Sequence, residues 1–569
     1  MPRTLWESDE HLFVAAVKKF EPLASHPHPP GYPLYIGLGK FVTAFTGNIF
    51  GSLVGISIAS CVIGVVALSL LLRRIVSDPD LAVSGAFLYY FGAAILVHAT
   101  PSMSEAPGIA CAVLALLAMT YFPSEATERT AILLGIATSA AIGIRPQFAV
   151  PLLPVFFYAL LISRDVRKIV AGLLSFTFLS LAWFVQLVDA CKGWSSFLAW
   201  EGRQADYIAT HDATASRGAD TLWGVASRLV FHPWGPKSIA IPVLFLALLG
   251  AYAFFRRVPA ERRRQAIPIL GFCGIYLLFA LKVMDPADGP RYSLPWLIAV
   301  VLFAALGLGI VRDSLRMRLA PFAIVVLIAL LSLVYVAPIV VTRRREPSPS
   351  AAAAAYANVA YPANSVILYD LALRPQAELL FSKFTVTALD KGMATYYDRP
   401  DLPLIALGDG GSFAANAKTF AWPETDAYDK LTRGHYRVVS LETFPPNERF
   451  FPERGIYATE RTNQFQWRWL QPDAAIRLPH THGRTLVLTF GLSHDLPYES
   501  NEVRVVINGV PGPSVTIAHN GRARLIAPLP GTPEVEVVIL SARSFIPASV
   551  LHNQDQRILA VQLLHVETH

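Results

Sequence analysis

The stretch from Phe50 to Leu72 reads FGSLVGISIASCVIGVVALSLLL and is followed at once by Arg73-Arg74. A helix that crosses the hydrocarbon core of a bilayer needs about twenty mostly apolar residues. This run supplies them without one charged side chain. Runs of the same kind follow at 81–98, 106–122, 168–189, 238–255, 266–283, 293–311 and 319–341. The block 130–163 is long enough for two short spans, broken at Ile144-Arg145-Pro146-Gln147, where proline ends a helix and arginine needs polar company. The sequence therefore predicts a multispanning α-helical membrane domain of about ten spans over residues 50–342.

Composition agrees. Of 569 residues, 53% are hydrophobic and only 16% charged, a balance that suits a membrane protein. The mean hydropathy of +0.44 averages two unlike halves, because from Arg343 onward Asp, Glu, Arg, Asn and Pro recur as in soluble protein. The net charge of +7 comes largely from Lys and Arg in short loops between spans, which speaks for topology and not for a nucleic-acid partner. Cys61, Cys111 and Cys273 lie inside apolar runs and Cys191 ends one. With none in the soluble half, neither a disulfide framework nor a CxxC metal site is expected.

Positive charge assigns the sides. Arg73-Arg74, Arg129, Arg164/Arg167/Lys168, Arg256-Arg257 with Arg262–Arg264, and Arg312/Arg316/Arg318 occupy alternate loops, which are read as cytoplasmic. The N-terminus, His98–Glu105, Lys192–Lys237, Met284–Tyr292 and the C-terminal half are then external, periplasmic in a bacterial inner membrane. Arg343-Arg344-Arg345 is the exception. Met1-Pro-Arg-Thr leads straight into an acidic segment and is no cleavable signal peptide. An external N-terminus has nothing to carry it across, so one further span before Met1 is expected.

The unusual polar groups gather on the external side. Residues 1–49 form an acidic, His-Pro-rich external loop with interfacial helices. Asp9-Glu10 opens a segment in which Leu12, Phe13, Ala16 and Val17 have helical spacing, expected to lie on the membrane surface. His26-Pro-His28-Pro-Pro-Gly-Tyr32-Pro33 cannot be helical and forms a rigid turn, and Leu34–Phe45 is a short interfacial stretch. Thr100-Pro-Ser-Met-Ser-Glu105-Ala-Pro places one carboxylate at the mouth of a span. A later loop reads Asp285-Pro-Ala-Asp-Gly-Pro-Arg291-Tyr292-Ser-Leu-Pro295. Carboxylates with arginines at one membrane face suit removal of a proton from an acceptor hydroxyl while a departing phosphate is neutralised.

In this order the acidic pair, "HPPGYPLY", "SEAP" before a span, "GIRPQ" after a glycine-rich span and "RYSLP" before a late span resemble GT-C class glycosyltransferases. Among these are the polyprenyl- or dolichyl-phosphate-mannose protein mannosyltransferases and the lipid A aminoarabinose transferase. The "HPPGYPLY" wording is most similar to the bacterial protein-O-mannosyltransferase-like membrane family. The resemblance covers about residues 6–341. It implies an inverting membrane enzyme that takes sugar from a polyprenyl-phosphate donor and passes it to a glycan, lipid or protein acceptor. It also implies Asp9 as base with Glu10 beside it, Glu105 at the second external acidic position, and Arg291 with Tyr292 and Arg145 at the donor phosphate. His26, His28 and Tyr32 then belong to a substrate loop. No cofactor is called for, although a divalent metal stays open.

Each group also has a plainer use. Asp9-Glu10 can be a solvated turn, and His26 and His28 structural parts of a proline turn and not metal ligands. Glu105 can cap the helix that starts near Pro107, a use compatible with catalysis, and Arg145 can snorkel at a helix break. Trp194, Trp200, Tyr207, Trp223 and Trp234 read as an interfacial aromatic belt, with sugar stacking as the alternative.

Beyond the spans, Ser365–Tyr369, Leu402–Leu407 and Tyr436–Leu441 read as buried strands between helical stretches, which makes 351–465 an external α/β domain. Gly408-Asp-Gly-Gly411 lacks GxGxxG spacing and a lysine, so it is a turn. From about Trp467 short alternating strands follow: Ala475–Leu478, Thr485–Phe490, Glu502–Ile507 closed by Asn508-Gly509, Ser514–Ile517, Arg522–Ile526 and Glu534–Ile539. Residues 466–569 are thus a β-sandwich of jelly-roll type. Phe545-Ile-Pro-Ala and Asp555–Ala560 resemble the closing strands of sandwiches on bacterial glycosyltransferases and carbohydrate-binding modules. Trp467, Trp469, His480 and His482 are candidate ligand contacts, or core residues. The rival to an enzyme is a non-catalytic envelope polysaccharide-binding or assembly protein on the same scaffold. A transporter fits less well, since the polar groups sit at one face and no internal repeat is evident.

Overall fold

A computed structural model describes residues 2–99, 101–122, 125–212, 222–411, 417–432, 436–461, 466–479, 484–493, 496–532, 534–551 and 555–569. The chain divides into two units, Met1–Glu346 with Glu424–Gly434, and Pro347–Pro423 with His435–His569.

The first unit is helical. Six helices among the described residues are long and apolar enough to cross a membrane, including Ile49–Val76, Val166–Ala190, Lys237–Arg257 and Leu297–Leu315. The remaining expected spans are shorter. The run 81–98 breaks into Pro79–Tyr90 and Ala93–His98, Glu105–Met119 has 15 residues, and the block 130–163 splits into Glu128–Ile144 and Ala149–Ile162 at Arg145 and Pro146, as its proline demands.

Apolar side chains cover the outside as well as the inside. Val166–Ala190 buries only Gly172 and Leu187, while Phe178 is 80% exposed, a surface that water would not tolerate at this length but lipid does. Helix contact relies on small residues where backbones approach. A Cβ on Gly250 would lie 1.6 Å from the Phe303 carbonyl oxygen, and one on Gly307 2.0 Å from that of Leu246, so these two glycines let Lys237–Arg257 and Leu297–Leu315 pack backbone to backbone.

Four of the loops assigned to one side by charge are tied together. Arg312 pairs with Asp78, Arg318 with Asp80 at 3.4 Å, Arg257 with Asp313 at 3.1 Å and Arg74 with Glu125 at 3.1 Å. Of the three arginines that are the exception to the charge pattern, Arg344 and Arg345 are exposed, but Arg343 is buried and structural: its Nη1 donates to the Val97 carbonyl at 3.0 Å, and its guanidinium stacks 4.2 Å from the Trp6 ring. A cation used internally carries no topological information.

The N-terminal helix Ser8–Lys18 differs from the expected surface helix. Phe13, Val14, Ala16 and Val17 are buried, with the Phe13 ring edge-on to Tyr32 at 4.9 Å and Tyr35 at 5.0 Å. Its apolar face is covered by the protein's own helix Pro33–Thr46 and not by lipid. That second helix does keep an exposed apolar end, Phe41 and Phe45. The aromatic belt is likewise only partial. Trp194, Tyr207 and Trp223 are exposed, whereas Trp200 and Trp234 are buried in the core.

The second unit holds two sheets. Strands β1 (Val366–Tyr369), β2 (Thr385–Ala388), β3 (Leu404–Asp409), β4 (Lys418–Ala421) and β5 (Val438–Phe444) order as β2-β1-β3-β5-β4. β1 runs parallel to β2 and β3, and β5 is antiparallel to its neighbours. β1 and β3 are buried along nearly their whole length, which is why they were legible as apolar runs.

Then come β6 (Phe451–Arg461), β7 (Gln466–Pro479), β8 (Thr485–Gly491), β9 (Ser500–Ile507), β10 (Val510–Ala518), β11 (Arg522–Pro528), β12 (Glu534–Ser541) and β13 (Val561–Thr568). They form one antiparallel sheet of order β10-β9-β12-β7-β13-β8-β11, with β6 on β7. Its edge strands β10 and β11 approach each other, so the two layers of the expected sandwich are one sheet curled in the manner of a barrel around Leu470, Ile476, Leu488, Phe490, Val505 and Val537. Curling shields the edges that a flat sheet would leave open. The Asn508-Gly509 hairpin is present, with φ of +46° and +79°. The β region starts earlier than expected, because β6 belongs to this sheet. Asp390, just after β2, accepts from Thr459 Oγ1 at 2.8 Å and from Arg468 at 3.1 Å, tying the two sheets within the unit.

Candidate functional site

Four segments far apart in sequence bring charged side chains together inside the first unit. Arg291, on the short helix Gly289–Ser293, is the hub. Its Nη2 donates to Asp9 Oδ2 at 2.7 Å, its Nε to Glu105 Oε1, and its Nη1 to Asp288 Oδ2 at 3.5 Å. Arg145, at the break between Glu128–Ile144 and the next helix, donates from Nη1 to the same Glu105 Oε1 at 2.9 Å and to Ser104 Oγ at 3.1 Å. The side chains of Glu105, Arg145, Asp288 and Arg291 are at most 9% exposed, and that of Asp9 is 24% exposed. Burial opposes the charge on Arg291, but Glu105 and then Asp9 outweigh it, so its pKa stands well above the usual value. Glu105 Oε2 is buried and has no hydrogen-bond partner among the described residues.

A second tier faces Asp9. His28 Nε2 lies 3.8 Å from Asp9 Oδ1 and 3.3 Å from the Tyr32 hydroxyl, which accepts from Gln147 Nε2 at 2.9 Å. Burial pulls the His28 pKa below its usual value despite the pull of Asp9 in the other direction. Burial, with Asp9 next, pushes the Tyr32 phenol up to about 12. The tier is thus a set of neutral polar groups around one carboxylate. Gln147 follows the proline that breaks the helix pair, so the same local rule that ends a helix presents both Arg145 and Gln147.

The pair Asp9-Glu10 is split in space. Successive residues of a helix point about 100° apart, and Glu10 turns away from the cluster. One of its oxygens accepts from the backbone N–H of Trp6 at 2.9 Å and Glu7 at 3.0 Å. The other accepts from Ser102 N at 3.0 Å and Ser102 Oγ at 2.7 Å. Glu10 therefore latches the N-terminal helix to the loop that leads into Glu105, with its bond to Glu7 forming part of a capping box. Glu7 itself is pushed up to about 8 by burial and then by Asp288.

Of the residues expected at the site, Asp9, Glu105, Arg145, Arg291, His28 and Tyr32 are brought together. The Tyr292 ring lies 5.8 Å from the Arg291 guanidinium. His26 serves the turn through backbone pairing with Glu21. Asp288, Gln147, Ser102 and Glu7 were not singled out from sequence. Asp288 was legible in principle, three residues before Arg291 on a helical stretch; the long-range Glu10–Ser102 link was not. Trp469 is a buried core residue and Trp467 packs against that core, while His480 and His482 lie outside the described residues. Among the described residues, one group of three metal-capable side chains lies close enough to share an ion: Glu448, His565 and Glu567 of the second unit.

No protein-family model matches the sequence. No curated protein matches it either. Solved structures do resemble it. ArnT from Cupriavidus metallidurans bound to undecaprenyl phosphate is 13% identical over 77% of this chain and 94% of that one, with a TM-score of 0.47. The mycobacterial arabinofuranosyltransferase AftD is 12% identical over 99% of this chain and 59% of its own, with a TM-score of 0.42. The arabinosyltransferase EmbB from Mycobacterium smegmatis is 12% identical over 99% and 63%, with a TM-score of 0.36.

Proposed function

We propose that this chain is a membrane glycosyltransferase of the GT-C class, which moves a sugar from a polyprenyl-phosphate donor to a hydroxyl of a glycan, lipid or protein acceptor at the external face of a bacterial inner membrane. The observation that carries the reading is the buried cluster in which Arg291 and Arg145 share Glu105 while Arg291 also holds Asp9. The donor class is that of the undecaprenyl phosphate named for ArnT. In this reading Asp9 accepts the acceptor's proton as the new oxygen–C1 bond forms and the C1–O–phosphate bond breaks, with inversion at C1. The polyprenyl phosphate leaves with its charge facing Arg291 and Arg145. Glu105 keeps both guanidinium groups in place. Arg291 is engaged by carboxylates before any donor arrives, so an entering phosphate competes with Asp9 for Nη2 and releases a carboxylate oxygen next to the acceptor.

The rival, a non-catalytic envelope polysaccharide-binding or assembly protein, is favoured by the self-sufficiency of the same cluster, since a purely structural ion network has the same contacts. Incubating the full chain in lipid nanodiscs with a panel of labelled polyprenyl-phosphate sugars and membrane extracts separates the two. Release of polyprenyl phosphate by the wild type but not by Arg291→Ala supports the transferase. Absence of turnover with every donor, from protein that still melts cooperatively, favours the rival.

A further inference from the structure

The curled sheet of the second unit carries a row of unlike side chains across several strands. Trp467 and Trp469 of β7 are two residues apart, so they face the same side of the sheet. In register, Trp467 lies opposite Glu460 of β6, and Trp469 opposite Gln562 of β13. Gln562 lies opposite Gly491 of β8, which lies opposite Arg522 of β11. A cavity of about 590 Å³ is lined by this row and by Phe545, Asp555 and Arg557 from the segment joining β12 to β13. That volume is in the range of small-molecule sites, about 300–1,000 Å³. Gly491 keeps the middle of the row open, since a Cβ there would meet Gln562 Oε1 at 3.1 Å and Leu564 Cδ1 at 3.2 Å.

The charges of the lining are already matched. Arg557 donates from Nη2 to Asp555 Oδ2 at 2.7 Å and from Nη1 to Glu460 Oε1 at 2.6 Å, with its guanidinium 5.3 Å from the Tyr457 ring. Two carboxylates and two arginines line the cavity, so it holds no excess of either sign. An aromatic wall beside fixed hydrogen-bonding groups of balanced charge suits a ligand with an apolar ring face and a hydroxylated rim.

We propose that this cavity binds a neutral oligosaccharide, with Trp467 as the stacking wall and Gln562 and the Glu460–Arg557 pair as hydrogen-bonding groups. The inference does not rest on transferase activity, because binding is read without turnover. Full-length protein in detergent micelles is titrated calorimetrically with mannotetraose, cellotetraose, laminaritetraose and tetragalacturonate. At least one neutral tetrasaccharide is expected to bind, and tetragalacturonate at least about tenfold more weakly. Trp467→Ala is expected to cost about tenfold or more, with Trp467→Phe within about threefold of wild type. Gly491→Val, which fills the cavity from a strand position where β-branched residues are favoured, should abolish binding, and a thermal melt of each variant establishes folding. The proposal is overturned if no neutral tetrasaccharide binds at millimolar concentration, if tetragalacturonate binds best, or if folded Trp467→Ala and Gly491→Val bind like the wild type.

Discussion

Asp9→Asn should move donor binding and turnover in opposite directions. Asparagine keeps the size of the side chain but takes no proton, and a positioned general base contributes about 10²–10⁴-fold to a rate, so turnover should fall by that factor. The donor side follows from geometry. Arg291 Nη2 is held by Asp9 Oδ2 at 2.7 Å, and a hydrogen bond to a charged group is worth about 1.5–3 kcal/mol. With 24% of the Asp9 side chain exposed, solvent screening lowers this to about 1 kcal/mol. The amide oxygen still accepts but carries no charge, so weakening that competitor should tighten the binding of a polyprenyl phosphate by up to about fivefold. Displacement of a fluorescent polyprenyl phosphate from nanodisc-embedded protein measures the first effect, and single-turnover release of labelled sugar the second. Turnover within tenfold of wild type, or a donor bound more weakly by the variant, refutes the assignment of Asp9 as both base and competitor.

Glu10→Gln should destabilise the first unit by about 2–4 kcal/mol, since an amide oxygen replaces only part of the four bonds that the carboxylate accepts; a melting temperature equal to wild type would contradict the latch. Glu7, whose pKa is raised from 4.5 to about 8 by burial and Asp288, binds its proton more tightly when folded. Its stabilisation is full below about pH 4.5, declines as pH rises and is gone above about 8. Glu7→Gln should flatten the melting temperature across that window, and an unchanged slope would count against it. Gly250→Val should cost about 3 kcal/mol or more by driving the helix into the Phe303 carbonyl, read as loss of folded protein in a detergent thermal-stability assay.

What the sequence disclosed depended on how local the cause was. Six of the apolar runs of span length, the break at Arg145-Pro146 and the Asn508-Gly509 turn are set by neighbours in the chain and appear where expected. The carboxylates and arginines of the cluster were legible as costly groups at the ends of apolar helices. Their partnership was not, because Arg291 meets Asp9 across 282 residues. For the same reason Asp9-Glu10 looked like one acidic pair, and only the fold separates a residue facing Arg291 from one holding Ser102. β6 was hidden by its several register shifts against β7, which blur the alternation that marks a strand. Arg343 looked like a surface charge because nothing in RRR reports the Trp6 ring above it.

Charge and burial together decide which member of the cluster can respond to a ligand. Asp9, Glu105 and Asp288 face Arg145 and Arg291, so with Glu7 holding a proton near neutral pH the carboxylates exceed the arginines. On the proposed reading, an anionic donor approaches such a site only if a carboxylate gives way. Glu105, 2% exposed, is held by Arg145 as well as by Arg291, and Asp288 is 5% exposed, so displacing either means moving a charge within a low-dielectric interior. Asp9 reaches solvent and has His28 at 3.8 Å on its other oxygen, so it loses least on release. On the proposed reading, the carboxylate that yields to the phosphate is then the one placed to take the acceptor's proton, and donor entry and base activation become a single event.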